Sequence, residues 1–281
     1  MPATPEDPFA ISVDETYSDW GLSEEAIDAL LDRSMDPRGP DMLFDIVAGL
    51  GIGPTHRVLD VGCRDGRHVV ELARRFGCRT FGVELVQANL DRGRPLLETV
   101  RREEPEVAAR VELIRGRIEA IPFPDGAFDL VWARDMLIHV PDLARALREC
   151  RRVLAPGGHV LVFQMFATPW LEPGEATRMW PALAAVPQST DPTHFELCVE
   201  DAGLRIVSRE EIGSEWREHG EESGSRRTSR QMLHAARLLR GRDRMVAELG
   251  RVAYESELAN CLWGVYQMIG KLSPRVYLLG L

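Results

Sequence analysis

RVLDVGCRDGRH, residues 57–68, is the stretch whose reading decides the fold. Val58, Leu59 and Val61 make an apolar run with little alternation, the pattern of a strand buried on both faces, and the VVELARRF that follows carries helical periodicity. A turn holding Gly62 and Gly66 joins them, so the stretch is a βα unit. Glycine permits positive φ and close backbone approach, and a helix N-terminus opening near Arg67 presents N–H groups to the polar end of a ligand. A nucleotide-like cofactor is expected at this turn.

Spacing narrows the choice of cofactor. A dinucleotide fingerprint reads G-x-G-x-x-G, whereas Cys63, Arg64 and Asp65 separate Gly62 from Gly66. The second glycine, which admits a pyrophosphate, is missing.

Outward from this unit, strand and helix patterns alternate, the signature of a parallel sheet covered on both faces. RTFGVEL ends a second strand at Glu84, and a helix runs from about Gln87 to Arg102. VELIRG and FDLVWA are the third and fourth strands. LARALRECRRVL is a helix capped by Asp142, and the Pro156-Gly157-Gly158 turn leads into a fifth strand, HVLVFQMF. Upstream, residues 1 to about 15 look like a mobile leader. Ser23 starts a helix whose first turn carries Glu24 and Glu25, and DMLFDIVAGLG is a second helix ending near Gly51 or Gly53.

Downstream, the proline-broken stretch 167–190 is expected near the strand ends as part of a substrate wall. Asp191 before Pro192 caps the next helix, with Thr193 and Glu196 as the capping-box alternative. RIVSREEIGSE is a sixth strand and the terminal RVYLLGL a seventh, separated by a helical insertion of about fifty residues.

The turn resembles motif I of the class I S-adenosylmethionine-dependent methyltransferases, D-x-G-x-G-x-G: Asp60, Gly62 and Gly66 match, and Arg64 stands where the middle glycine is usual. The element order around it, over about residues 45–166, resembles the same family. The resemblance implies an α/β, Rossmann-like seven-stranded methyltransferase sheet with N-terminal helices over the cofactor. The last strand would run antiparallel at the sheet edge beside the fifth, and a helical cap would be inserted before it. The corresponding divisions are 1–44 for leader and lid helices, 45–215 for the cofactor-binding core, 216–272 for the cap and 273–281 for the final strand.

A site for S-adenosylmethionine, and for its product S-adenosylhomocysteine, needs donors for the methionine end, an acid for the ribose hydroxyls and a slot for adenine. Gly62, Cys63 and the helix start are expected to supply the first, with Asp60 orienting the turn. Glu84, at the end of the second strand with Leu85 beside it, is the ribose acid, as acids are in other doubly wound folds. In RGRIEAIPF, Arg117 stands where the resembling family has an adenine-binding aspartate, with Ile118 packing on the ring and Glu119 sharing the polar contact. Arg64 and Arg117 thereby place two unusual cations near the cofactor. If both face inward, a non-methylating member of the fold, such as a cyclase-type enzyme, becomes the alternative.

WARDMLIHV, residues 132–140, follows the fourth strand at the topological switch point, where open α/β sheets bind ligands. It resembles the segment of small-molecule amine methyltransferases, by which Arg134 and Asp135 border the methionine end and His139 faces the acceptor as a general base. His194, Glu215, Trp216 and Trp263, with Trp170 or Trp180, are the further acceptor candidates. Aromatic faces and a carboxylate suit a cationic amine or an indole-like ring. Tyr17 and Trp20 are the early aromatic residues that would touch cofactor or acceptor.

The acceptor these residues would suit is a secondary metabolite or alkaloid-like amine, and the bulk composition points to a small molecule as partner. A net charge of −10 argues against nucleic acid or anionic membrane as partner. The Arg226, Arg230, Arg237 and Arg240 face reads as solvated and paired with the acidic 215–222 segment. Five scattered cysteines form no C-x-x-C, so no disulfide framework or metal site is expected. The acidic start lacks the regions of a signal peptide, no apolar run of about 18 residues occurs, and a cytoplasmic protein is expected, with a homodimer left open.

Overall fold

The computed structural model describes residues 11–17, 21, 23–32 and 37–281. Residues 1–37 and 38–281 are separate compact units. The first holds α1 (Val13–Thr16), inside the expected leader, and α2 (Glu24–Leu31), capped by Ser23 as expected. Trp20 lies outside the described residues.

The second unit begins with α3 (Asp41–Gly49) and continues through β1 (Arg57–Val61), α4 (Arg67–Phe76), β2 (Arg79–Glu84) and α5 (Gln87–Glu103). A short α6 (Pro105–Ala108) precedes β3 (Val111–Arg115) and β4 (Phe128–Arg134). After a 3₁₀ turn at Leu137–His139 come α7 (Leu143–Val153) and β5 (Leu154–Ala167). The Pro-Gly-Gly turn interrupts the β4–β5 register between Phe128 and Leu130 instead of standing outside the strand. Then follow α8 (Pro173–Ala182), α9 (Pro192–Asp201) and β6 (Arg205–Glu211). The insertion is four helices, α10 (Glu215–Glu222), α11 (Arg227–Arg240), α12 (Arg242–Leu249) and α13 (Arg251–Met268), before β7 (Leu272–Gly280). Asp142 and Asp191 accept from Arg145 N and Thr193 N, the caps expected for α7 and α9.

Seven strands form one sheet in the order β3-β2-β1-β4-β5-β7-β6, parallel except for β7, which is antiparallel to both neighbours. β7 therefore lies inside the sheet, not at its edge as expected. Its Leu272, Val276, Tyr277 and Leu279 are buried, whereas the Ser208–Glu211 end of β6 is exposed, so the apolar strand takes the inner place.

Side-chain alternation along the strands builds two core layers. Leu59, Val61, Val131 and Ala133 meet α7 and α9 on one face, and Val58, Leu130, Trp132 and Leu161 meet α3 and α4 on the other. Phe44 of α3 stacks on Trp132 with ring centroids 5.3 Å apart. A further layer of Met165, Trp180, Ala259 and Leu272 joins the cap to the sheet. Chain connections leave β1 and β4 toward opposite flanks, β2 on one side and β5 on the other, which opens a crevice at their carboxyl ends.

In the β1–α4 turn, Arg64 has φ 53°, the left-handed conformation that the missing glycine of the motif would adopt freely. Its side chain is exposed, so the substitution Arg64→Gly removes backbone strain without removing packing. We expect a gain of about 1 kcal/mol in urea-induced unfolding.

Candidate active site

The turn after β1 is held by its own backbone. Gly62 N–H and Cys63 N–H both donate to Val83 O, at 2.7 and 3.1 Å, and Gly66 N–H donates to Cys63 O at 2.9 Å. Gly62 is thus not the free donor expected for the methionine end, because β2 already uses its N–H. Its φ of 72° and its lack of a side chain still matter, since a Cβ there would stand 2.8 Å from Met136 Cγ.

Glu84 holds the rest of the turn. Its Oε2 accepts from Arg64 N–H at 3.0 Å, and its Oε1 accepts from Val86 N–H at 2.8 Å and Asn89 Nδ2 at 3.2 Å. A carboxylate offers about four lone-pair sites. Three are used, which leaves one for a ribose hydroxyl, and a second opens if Asn89 turns aside. The exposed Leu85 and Val86 beside it and the buried Ile118 give apolar surface suited to an adenine ring.

Two glycines outside the motif let the turn seat itself. A Cβ on Gly82 would lie 2.6 Å from Cys63 Sγ, and one on Gly93, inside α5, would lie 2.3 Å from the Asp65 carbonyl oxygen. With Asn89 these are site residues that the sequence reading missed. A glycine in the middle of a helix, in R-G-R, was the available signal.

Asp60, buried like Glu84, and the half-buried Asp135 are the site's other acids. Each keeps one enclosed carboxyl oxygen, Oδ2 and Oδ1 respectively, without a partner among the described residues. Burial holds Asp60 well above the usual carboxylate range, opposed by the charge of Arg134. Burial likewise raises Asp135, opposed by Arg134, His139 and Arg217. Asp135 takes φ 52°, a strained conformation that marks the turn after β4 as specially shaped. Unpaired buried acid oxygens seek a donor, and a ligand carrying ammonium and sulfonium charge fits them. The residues present therefore fit S-adenosylmethionine: Glu84, Leu85 and Ile118 at the nucleoside, Asp60 and Asp135 at the cationic end.

Arg134 donates to His68 Nε2 and lies 5.3 Å from the Trp216 ring centroid and 5.9 Å from that of Phe163. Burial, then the charge of Arg134, pushes the His68 pKa from 6.5 down to about 4. Because the folded value lies below the unfolded one, the unfolded chain binds the extra proton between those limits. Stability from this ring is complete above pH 6.5 and is lost as pH falls toward 4. We expect unfolding free energy to drop by about 2 kcal/mol from pH 7 to pH 5 through this group, and urea titrations of His68→Gln to show that part of the slope removed.

His139 is exposed, and its Nδ1 lies 3.1 Å from Ala184 O. A carbonyl only accepts, so Nδ1 carries a proton, and in the neutral ring the lone pair is on Nε2. That is the tautomer a general base needs.

The remaining candidates are dispersed. Arg64 and Arg117 are exposed, and Glu119 is half-buried. Glu215 is engaged by Arg38, with Nε–Oε2 at 2.8 Å. Trp216 reaches the site through Phe163, at 4.4 Å between centroids, and Arg134. Trp263 packs edge-on against Trp180, and Trp170 is exposed. His194 bonds to Cys198 one turn along its own helix. Tyr17, in the first unit, is exposed. Arg226, Arg230, Arg237 and Arg240 are exposed, and Glu221 of the acidic segment caps the start of α11.

Comparison with known proteins agrees with this geometry. Residues 59–162 match the methyltransferase domain family model. Sarcosine/dimethylglycine N-methyltransferase of Halorhodospira halochloris is 36% identical over 110 residues, 39% of this chain and 38% of that enzyme. Methyltransferase GfsG of Streptomyces halstedii is 29% identical over 193 residues, 66% and 67% of the two chains. The [4+2]-cyclase SpnF superposes with a TM-score of 0.62 at 22% identity, over 85% of this chain and 79% of that one. Other matches are named as a rifamycin methyltransferase and sterol 24-C-methyltransferases. This chain thus spans little more than a third of the H. halochloris relative. With that sheet order and that turn, the chain has the fold of those methyltransferases, and its residues 59–162 are similar to the methyltransferase domain family.

Proposed function

We propose that this protein moves a methyl group from S-adenosylmethionine to a small-molecule acceptor in the cytoplasm. The observation that carries the reading is Glu84: a buried carboxylate at the end of β2, fixed by three donors and still able to accept a ribose hydroxyl. The cofactor supplies a methyl group made electrophilic by sulfonium sulfur. Asp60 and Asp135 balance positive charge at the carboxyl ends of β1 and β4, and Met136 packs close against Gly62 in the turn. His139 Nε2 takes the proton that an acceptor N–H or O–H gives up.

We favour nitrogen in an amine or indole-type ring as the methylated atom. Attack by an amine needs mainly alignment plus a mild base, and one imidazole with a fixed tautomer is such a base. Trp216 offers an aromatic face for the acceptor. The named relatives act on acceptors of mixed kind, as N- and C-methyltransferases. The non-methylating alternative rests on Arg64 and Arg117 facing the cofactor, and both are exposed. Likeness to the cyclase SpnF concerns the fold alone. No helix among the described residues is long and apolar enough to cross a membrane.

The test is incubation with S-adenosylmethionine and a panel of amines, indoles and phenols, followed by mass spectrometry for S-adenosylhomocysteine and a methylated product. We expect turnover with at least one nitrogen acceptor, and slowing by roughly 10²-fold or more in His139→Ala with acceptor binding retained. Unchanged turnover in that variant removes the base role; binding of the cofactor without turnover on any acceptor removes the reaction.

A further inference from the structure

The cap holds a cluster of metal-ligating side chains apart from the residues of the candidate active site. His234 stands on α11, and Glu257 and Cys261 stand one turn apart on α13, which puts those two on one face of their helix. One ligand atom from each, an imidazole nitrogen, a carboxylate oxygen and the thiol sulfur, lies within 4.8 Å of the other two. Among the described residues no other three His, Cys, Asp or Glu side chains converge so closely. The cysteine spacing carries no sign of this, because the histidine and the cysteine come from different helices.

Packing between the two helices fixes the three side chains against one another. Gln231, His234 and Leu238 follow one another along a single face of α11, and Tyr254, Glu257 and Cys261 along a single face of α13. Two hydrogen bonds join those faces, one near each end of the cluster. Gln231 Nε2 donates to Asn260 O at 3.1 Å, and Tyr254 Oη donates to Leu238 O at 3.3 Å. Gly264 makes the first possible, since a Cβ there would lie 1.9 Å from Gln231 Oε1. Cys261 is buried in a small apolar core shared by the two helices, His234 is half-buried and Glu257 is exposed. The cluster therefore has an apolar floor and one side open to solvent, by which an ion and a water molecule can enter.

We propose that His234, Glu257 and Cys261 bind a zinc ion that clasps α11 to α13, with water from the open side as the fourth ligand. Thiolate, imidazole and carboxylate are zinc's ligand types, at about 2.3, 2.0–2.1 and 2.0–2.2 Å, and two such ligands on a tetrahedral ion stand roughly 3.4–3.6 Å apart. The Cys261 thiol already donates to Glu257 Oε1 at 3.7 Å, so the imidazole alone has to close in, by roughly 1 Å. A sulfur ligand selects against magnesium and calcium, which take oxygen. Charge matches as well, because thiolate and carboxylate together balance a divalent ion. On binding, the thiol proton passes to solvent and Sγ takes the metal in its place. The clasp also steadies Gln231, which accepts from Arg217 of α10, and so ties three helices of the cap together. None of this depends on the methyl-transfer reading.

The test uses the full chain, stripped with a chelator and titrated with Co²⁺, which takes zinc's place and reports a thiolate ligand by a charge-transfer band in the near ultraviolet. We expect one equivalent to bind with that band, Zn²⁺ to displace it and Mg²⁺ to leave it unchanged. Cys261→Ser should remove the band. His234→Gln and Glu257→Gln should each weaken Zn²⁺ binding at least about tenfold, measured by competition with a chromophoric chelator. In thermal unfolding, Zn²⁺ should raise the midpoint of the wild type by a few degrees and that of His234→Gln by less. His234 and Glu257 lie outside the apolar core, so their variants keep the test intact if Cys261→Ser does not fold. A folded wild type that shows no cobalt band overturns the proposal. So does a band that persists in Cys261→Ser, which places the thiolate elsewhere, as at Cys198 beside His194. Zinc affinity unchanged in both His234→Gln and Glu257→Gln overturns it as well.

Discussion

Glu84→Ala is expected to abolish measurable binding of S-adenosylhomocysteine and to cost the fold about 2–3 kcal/mol. The two effects have one origin. Arg64 N–H, Val86 N–H and Asn89 Nδ2 all donate to this carboxylate, so its removal frees the turn after β1 and the start of α5 together. A hydrogen bond to a charged group is worth about 1.5–3 kcal/mol, and water reaching the half-exposed turn restores part of the three. Binding suffers more than stability, because the ribose loses its acceptor and the turn loses its shape at the same time. Glu84→Gln separates the contributions: it keeps the volume but turns an N–H₂ group toward backbone N–H donors. We expect it to fall between wild type and Glu84→Ala in urea unfolding, and near Glu84→Ala in calorimetric titration. Unchanged affinity in both variants would remove Glu84 from the cofactor site.

Gly93→Ala carries the second large effect, and its sign is the informative part. On helix propensity alone, alanine inside α5 should stabilise by about 1 kcal/mol. The packing says the opposite. The new methyl group would lie 2.3 Å from the Asp65 carbonyl oxygen, a backbone atom of the turn that cannot rotate away. Either α5 or the turn must shift, and overpacking of this kind costs about 1–3 kcal/mol. We expect net destabilisation of about 1–2 kcal/mol and at least tenfold weaker S-adenosylhomocysteine binding. Circular dichroism with urea titration gives the first quantity and calorimetry the second. A stabilised variant with intact binding would mean that the turn is not seated on α5 as described.

Much of the fold was legible because it rests on local chemistry. Val58, Leu59 and Val61 announce a buried strand, and Ser23, Asp142 and Asp191 announce helix starts whatever lies elsewhere in the chain. The place of β7 was not legible in the same way. An apolar run shows that a strand is buried, but not which two strands bury it, and the exposed end of β6 decides that only once the sheet is assembled.

The site divides along the same line. Asp60, Glu84 and Asp135 stand at strand ends, where the βα pattern alone puts them beside a ligand. Gly62 was read as a donor because a glycine turn before a helix usually offers its N–H groups, whereas here Val83 O takes them. Glu215 looked like an acceptor-binding acid until Arg38, far away in sequence, was seen to hold it. Gly93 announces itself as a glycine inside a helix, but what it makes room for, the Asp65 carbonyl, comes from another segment.

The most direct test of the account is calorimetric titration of the wild-type chain with S-adenosylhomocysteine and, separately, with NAD. The turn after β1, clamped by Glu84 and lacking the second glycine of a dinucleotide fingerprint, predicts one saturable site for S-adenosylhomocysteine and no heat with NAD. A folded chain that gives no heat with S-adenosylhomocysteine, or gives heat only with NAD, would contradict it.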